Sequence, residues 1–179
     1  MRMNIMIKEI YFAGGCFWGA EKYLSLIPGV THTEVGYANG NTLNPTYKEV
    51  CQEETGHVET VRVQYNSNLV SLPFLLDLFF DSIDPTTLNK QGGDEGTQYR
   101  SGVYYLEPSD LEPIQLAIKE LQREYSQPIV VEVLPLSCFY MAEEYHQKYL
   151  DKNPTGYCHI GEEMFAKAKA AVPPISRDK

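Results

Sequence analysis

Residues 8–20, Lys8-Glu9-Ile10-Tyr11-Phe12-Ala13-Gly14-Gly15-Cys16-Phe17-Trp18-Gly19-Ala20, decide the fold. The run up to Ala13 is short and β-rich and stops at two glycines, which predicts a strand over 8–14. From Cys16 the period changes. Phe17, Ala20, Leu24 and Ile27 fall on one stripe of a helix over 16–27, ended by Pro28-Gly29. A strand that passes through glycines into a helix sets Cys16 at the junction.

Working outward, 30–38 reads as an extended segment closed by Asn39-Gly40, a turn signal. A polar loop with Asn44-Pro45 follows, with a helical turn near Tyr47. Over 56–65 the pattern alternates, with Val61, Val63 and Tyr65 on one face and Thr60, Arg62 and Gln64 on the other, so this is a strand. Ser71 caps a helix over 72–83. The glycine-rich stretch 84–101 lacks a period, and a stretch of that kind in a compact domain is usually functional. Residues 102–106 are a strand. Ser109 and Glu112 have capping-box spacing ahead of a helix striped by Leu111, Ile114, Ile118, Leu121 and Tyr125. A strand over 129–134 and a short helix over 142–150 follow. An irregular tail, 151–179, carries Cys158, with a weak helix over 161–171. The first six elements give a β-α-β-β-α-β order. The expectation is an α+β, ferredoxin-like two-layer sandwich with helices on a mixed sheet, forming one catalytic domain over 1–179.

At 179 residues and 43% hydrophobic, the chain can bury a core without disulfide or metal staples. Its four cysteines, Cys16, Cys51, Cys138 and Cys158, are therefore free for other uses, and no C-x-x-C spacing among them suggests a zinc site. A net charge of −9 disfavours nucleic acid and anionic membranes. The start reads as no signal peptide, and the apolar run 74–80 is too short to span a bilayer. The expectation is a cytoplasmic protein in a reducing compartment, where any disulfide is transient and catalytic.

Cys16 is the sharpest feature. A thiol at a helix N-terminus faces unpaired N–H groups and the positive end of the dipole, which favours thiolate. The alternative is a small buried hydrophobe. Trp18 lies off the core stripe of its helix and could wall a pocket for a small apolar group, or simply pack. Glu59 shares parity with Val61 and Val63, so it points to the apolar face, where burial would raise its pKa and suit it to general acid work. The alternative places it at a solvated strand end. Asp94, Tyr99 and Arg100 stand in the 84–101 loop and Tyr47 in the other. Cys158 stands in a loop from which a thiol could reach a reactive one. Histidines 57, 146 and 159 lack metal-ligand spacing.

Gly14-Gly15-Cys16-Phe17-Trp18 resembles the A-type peptide methionine sulfoxide reductases. Further family-like blocks follow in order: Pro45-Thr46-Tyr47, Gly56-His57-Val58-Glu59, the run 96–102 around Tyr99, Ala142-Glu143-Glu144-Tyr145-His146-Gln147 and Gly156-Tyr157-Cys158. The resemblance implies that Cys16 is the nucleophile, that Phe17 and Trp18 cage the substrate methyl, and that Glu59 is the acid. It implies that Tyr47 and Tyr99 hold the sulfoxide oxygen, that Asp94 lies near the substrate, and that Cys158 is the recycling cysteine. It also implies specificity for the S epimer of methionine sulfoxide, free or in proteins, thioredoxin as reductant, and no cofactor. Two departures stand out. No cysteine follows Cys158, which leaves a one-step relay, and Met141 stands where many members have proline. Two rivals are a cysteine hydrolase using His57 or His146 as base and a redox-sensing module without turnover.

Overall fold

The computed structural model describes residues 5–174. The elements in chain order are β1 (Ile7–Ala13), α1 (Phe17–Ser25), β2 (Val30–Ala38), α2 (Tyr47–Cys51), β3 (Val58–Asn66), α3 (Leu72–Asp81), β4 (Lys90–Gln91) and β5 (Asp94–Glu95). They continue with β6 (Gly102–Tyr105), α4 (Leu111–Gln122), β7 (Glu132–Pro135), β8 (Phe139–Met141), α5 (Tyr149–Lys152) and α6 (Glu162–Ala170). One sheet runs β7-β6-β1-β3-β2-β8. Its inner strands β6-β1-β3-β2 pair antiparallel throughout. With α1 and α3 they form the expected ferredoxin-like unit. β7 joins β6 in parallel and β8 joins β2 antiparallel, which makes the sheet mixed.

Alternation sorts the two faces. Ile10, Phe12, Val35, Tyr37, Val61, Val63, Tyr65 and Val103 meet Phe17, Tyr23 and Leu24 of α1 and Leu75, Leu76 and Phe79 of α3 in the main core. The other face holds a smaller cluster of Tyr11, Ala13, Ala38, Val58 and Tyr104, and Arg62 pairs there with Glu9 and Glu34. Among the described residues no helix is long and apolar enough to cross a membrane.

Several local expectations change. Ser109 does not cap α4, because Pro108–Asp110 is already a 3-10 turn that runs into the helix. The capping box that does form is Thr46 with Glu49, at the start of α2. The helix expected over 142–150 is broken. Glu144–His146 is a 3-10 turn, Gln147 is extended, and Lys148 is left-handed before α5. Gln147 causes the break. Its side chain accepts from the Val35 N–H and donates to the Val35 carbonyl, both at 2.9 Å, and so anchors the segment to β2. The tail is irregular around Cys158 but then forms α6, whose Ala168 is buried; its last residues, 175–179, lie outside the described residues.

Candidate active site

Gly15 makes the turn from β1 into α1. Its φ is +80°, and a Cβ there would sit 2.7 Å from Gln91 Cβ. A side chain would therefore be both strained and blocked. The turn leaves Cys16 at the N-cap of α1, 8% exposed.

Glu59 on β3 is 1% exposed. Strand parity sends it to the main core face, as its alternation with Val61 and Val63 predicts. There it reaches the start of α1, where the Phe17 N–H donates to its Oε1 at 3.1 Å. Oε2 is buried without a partner. Burial pushes the carboxyl up to about 8, against the Phe17 hydrogen bond and with help from the Asp94 charge. At neutral pH this group holds a proton, which is unusual for a carboxyl and is the mark of a poised acid.

The expectation of a thiolate at Cys16 is overturned. Burial pushes the thiol well up, and the Glu59 charge adds to this, while the Trp18 N–H is the main opposing influence. The helix start does favour thiolate, but desolvation outweighs it. The substrate-free site therefore holds its protons on both sulfur and carboxyl.

Tyr47, first in α2, and Tyr99, at the end of the 3-10 turn Thr97–Tyr99, are half-buried. Burial raises both phenols, and Glu59 raises both further, so the three groups lie within electrostatic reach. Both hydroxyls stay protonated and can donate. The Cys51 thiol, one turn on, also raises the Tyr47 phenol, so Cys51 borders the site.

Phe17 is buried in the main core, with its ring 5.1 Å from His146. Trp18 is half-buried, stacked on Tyr149 at 3.7 Å and 11°, and its Nε1–H donates to His146 Nδ1 at 2.9 Å. His146 in turn lies 4.7 Å from the Tyr47 ring. Burial lowers its pKa, so it is neutral, and since Nδ1 accepts, its proton sits on Nε2.

Gln91 holds the 84–101 loop together. Its amide donates to the Asp84 carbonyl at 2.7 Å and to the Ser101 hydroxyl at 3.0 Å, and its Oε1 accepts from the Asp84 N–H. This fixes the short β4–β5 hairpin that carries Asp94. The Tyr157 hydroxyl donates to Asp94 Oδ2 at 3.0 Å and ties the loop to the tail. Cys158 follows directly. Its Sγ packs over Gly19 of α1, where a Cβ would come within 2.8 Å of it. Among the described residues all four cysteines are free thiols.

The structure thus gathers Cys16, Glu59, Phe17, Trp18, Tyr47, Tyr99, Asp94 and Cys158 about one end of α1. The sequence pattern did not point to Tyr149 for this site; it offered His146 only as a rival base, and Glu143 and Tyr157 only as members of family-like blocks without a role. Glu143 accepts from the Tyr37 hydroxyl at 2.9 Å and the Tyr47 N–H at 3.2 Å. The available signal was the density of aromatic and acidic residues over 142–149, which read as an ordinary helix. The hydrolase alternative loses its bases. His57 has both nitrogens engaged, by Gly40 N–H and the Thr42 carbonyl, and His146 is held by Trp18.

A buried thiol beside a proton-holding carboxyl, with a second free thiol against the same helix, is the equipment of a thiol-dependent oxidoreductase. The family model described as peptide methionine sulfoxide reductase matches residues 8–173, and the chain belongs to that family. It is 60% identical to a peptide methionine sulfoxide reductase MsrA from Lachnoclostridium phytofermentans, over 93% of this chain and 100% of that one. Mxr1 from Saccharomyces cerevisiae, solved in reduced form, matches with a TM-score of 0.82 and 39% identity, covering 88% of this chain and 94% of that one. Mxr1 in complex with Trx2 matches at 0.58 and 28% identity, covering 80% and 84%.

Proposed function

We propose that this chain reduces the S epimer of methionine sulfoxide, free or in proteins, to methionine, with Cys16 as nucleophile. The observation that carries the reading is the Glu59 carboxyl, buried, protonated at neutral pH and with one oxygen unpartnered beside Cys16. A sulfoxide S–O bond is polarised towards oxygen. Glu59, with the Tyr47 and Tyr99 hydroxyls, hydrogen-bonds that oxygen and protonates it as the S–O bond weakens, which makes sulfur electrophilic. Phe17 and Trp18 receive the methyl group. The Cys16 sulfur attacks as its own proton passes to the Glu59 carboxylate that proton transfer to the oxygen leaves. Oxygen passes to Cys16, sulfur gains two electrons, and the products are a Cys16 sulfenic acid and a thioether. Asp94 lies at the substrate's flank.

Cys158 then attacks the sulfenic acid sulfur. The S–O bond breaks, its oxygen leaves as water with the Cys158 proton, and a Cys16–Cys158 disulfide forms. A dithiol of the thioredoxin class reduces it, a partnership supported by the complex of the related Mxr1 with Trx2. No metal or organic cofactor enters these steps. The whole chain serves as one catalytic domain, in the cytoplasm, repairing proteins under oxidative stress.

The test mixes the reduced protein with each separated epimer and counts thiols. The S epimer should yield methionine with loss of the Cys16 and Cys158 thiols, and the R epimer should leave both intact. Full thiol loss with the R epimer, or no methionine from either, overturns the reading.

A further inference from the structure

Glu21 is a buried carboxylate that the reduction chemistry leaves unused. It lies on α1, three residues after Trp18, and is 2% exposed. Its Oε1 accepts the backbone N–H of Lys148 at 2.7 Å. Its Oε2 accepts from Lys148 Nζ at 3.2 Å and from the Thr33 hydroxyl at 2.9 Å. Lys148 Nζ also contacts the Thr33 hydroxyl and carbonyl. A surface lysine could satisfy itself in water, so a buried carboxylate spending one oxygen on its peptide N–H needs a reason.

The backbone supplies one. Lys148 has φ 53° and ψ 37°, a left-handed conformation that residues with a Cβ rarely adopt. It separates two residues that touch the same indole. Two positions earlier His146 accepts from Trp18 Nε1, and one position later Tyr149 stacks on the Trp18 ring. A regular helix over this segment would put positions three apart on neighbouring sides of one stripe, not on two sides of a third residue. The left-handed residue turns the chain so that an imidazole and a phenol converge on one indole. Trp18 and Glu21, one turn apart on α1, grip the same segment.

We infer that Glu21 is a positioning residue: by holding Lys148 left-handed it sets His146 and Tyr149 against Trp18 and fixes the indole that walls the substrate pocket. This rests on the proposed role of Trp18 as that wall. A purely structural Glu21, joining α1 to β2 through Thr33, would not care about the conformation at Lys148.

Two substitutions at Lys148 separate these roles. Lys148→Gly and Lys148→Val both lose the ammonium and keep the N–H, but glycine adopts positive φ freely and β-branched valine resists it. The glycine variant should exceed the valine variant by about fivefold or more in kcat/KM for methionine S-sulfoxide, because small displacements of a positioning wall are costly. Trp18 is the only tryptophan, so its emission reads the clamp directly. Emission should move to the red and acrylamide quenching should rise in Lys148→Val and Glu21→Leu, with Glu21→Gln between them and wild type. Equal behaviour of the glycine and valine variants overturns the inference. So does unchanged Trp18 emission in a Glu21→Leu protein whose far-UV spectrum is native; if that variant fails to fold, the Lys148 pair decides. The fluorescence does not depend on the reaction. Emission shifts as stated in a protein that leaves sulfoxide unreduced would reject the functional reading and keep the clamp.

Discussion

The Phe17 N–H donates to Glu59 Oε1 at 3.1 Å, and the other oxygen of that carboxyl is buried without a partner. Phe17 follows Cys16 directly, so the carboxyl is fixed to the same peptide that carries the proposed nucleophile. One oxygen is an anchor and the other is left for an incoming group. A helix N-terminus has N–H groups to spare, and here one of them orients an acid.

Reduction should therefore depend on the proton of Glu59. Burial holds that group at about 8. The single-turnover rate at saturating sulfoxide should be level near neutrality and fall as pH rises through about 8. Glu59→Gln keeps an amide donor, so it should lose this fall and retain a rate about a hundredfold above Glu59→Ala, the scale of one donor to a developing charge. Rapid-quench measurement of methionine formed checks both. Equal rates for the two variants would reject an oxygen-stabilising role.

The same carboxyl should weaken the fold in alkali. In the unfolded chain a glutamate loses its proton near 4.3, whereas folded Glu59 keeps it to about 8. Between those values the native state binds more protons than the unfolded state, so stability falls as pH rises and is flat above the upper value. Each tenfold difference in proton affinity is about 1.4 kcal/mol, so the contribution is a few kcal/mol. The Tm of Glu59→Gln should exceed that of wild type above about pH 8, with the gap closing towards about pH 5. A constant gap across that range would show that Glu59 does not titrate as described.

The four inner strands of the sheet, the position of Cys16 and the inward aim of Glu59 were legible because each rests on a local pattern, whereas the edge strand β8 and the β4–β5 hairpin were not. Strand parity alone puts Glu59 with Val61 and Val63. The surroundings of Trp18 were not legible, because they come from residues 146 and 149, more than a hundred positions away, in a segment that Gln147 anchors to β2. Its pattern reads as helix, and only the tertiary bond breaks it. The thiolate expectation failed for a related reason. Helix position is visible in sequence, but the depth of burial that outweighs it is not. Capping-box spacing occurs at both Thr46 and Ser109, and only the 3-10 turn begun by Pro108 shows which of them is used.

The indole contact should be worth measuring alone. His146→Phe fills the space but removes the acceptor for Trp18 Nε1. Leaving a half-buried N–H unpaired costs about 1–2 kcal/mol, and kcat/KM for sulfoxide should fall by about tenfold if the indole turns away. Trp18 emission and steady-state kinetics test this together. Unchanged kinetics with native emission would mean that stacking on Tyr149 suffices.

The last prediction concerns how Cys158 finds Cys16. Gly19 is the third residue of α1, three positions after Cys16, and in a helix alanine is normally favoured over glycine by up to about 1 kcal/mol. What forbids it here is the tail. A Cβ at Gly19 would lie 2.8 Å from Cys158 Sγ and 3.4 Å from the His159 ring. Positions three apart share a helix face, so the sulfur resting on Gly19 is parked beside the turn that bears Cys16. Gly19→Ala should displace the tail without touching Glu59 or the tyrosines. The first methionine should form at the wild-type rate, while closure of the Cys16–Cys158 disulfide slows by about tenfold or more, the scale of a lost near-attack arrangement. Cys158→Ser gives the limit, one methionine per chain and no dithiol-driven cycling. Thiol counting at timed quenches reads both steps. If Gly19→Ala loses both thiols as fast as wild type, Cys158 reaches Cys16 from some other seat.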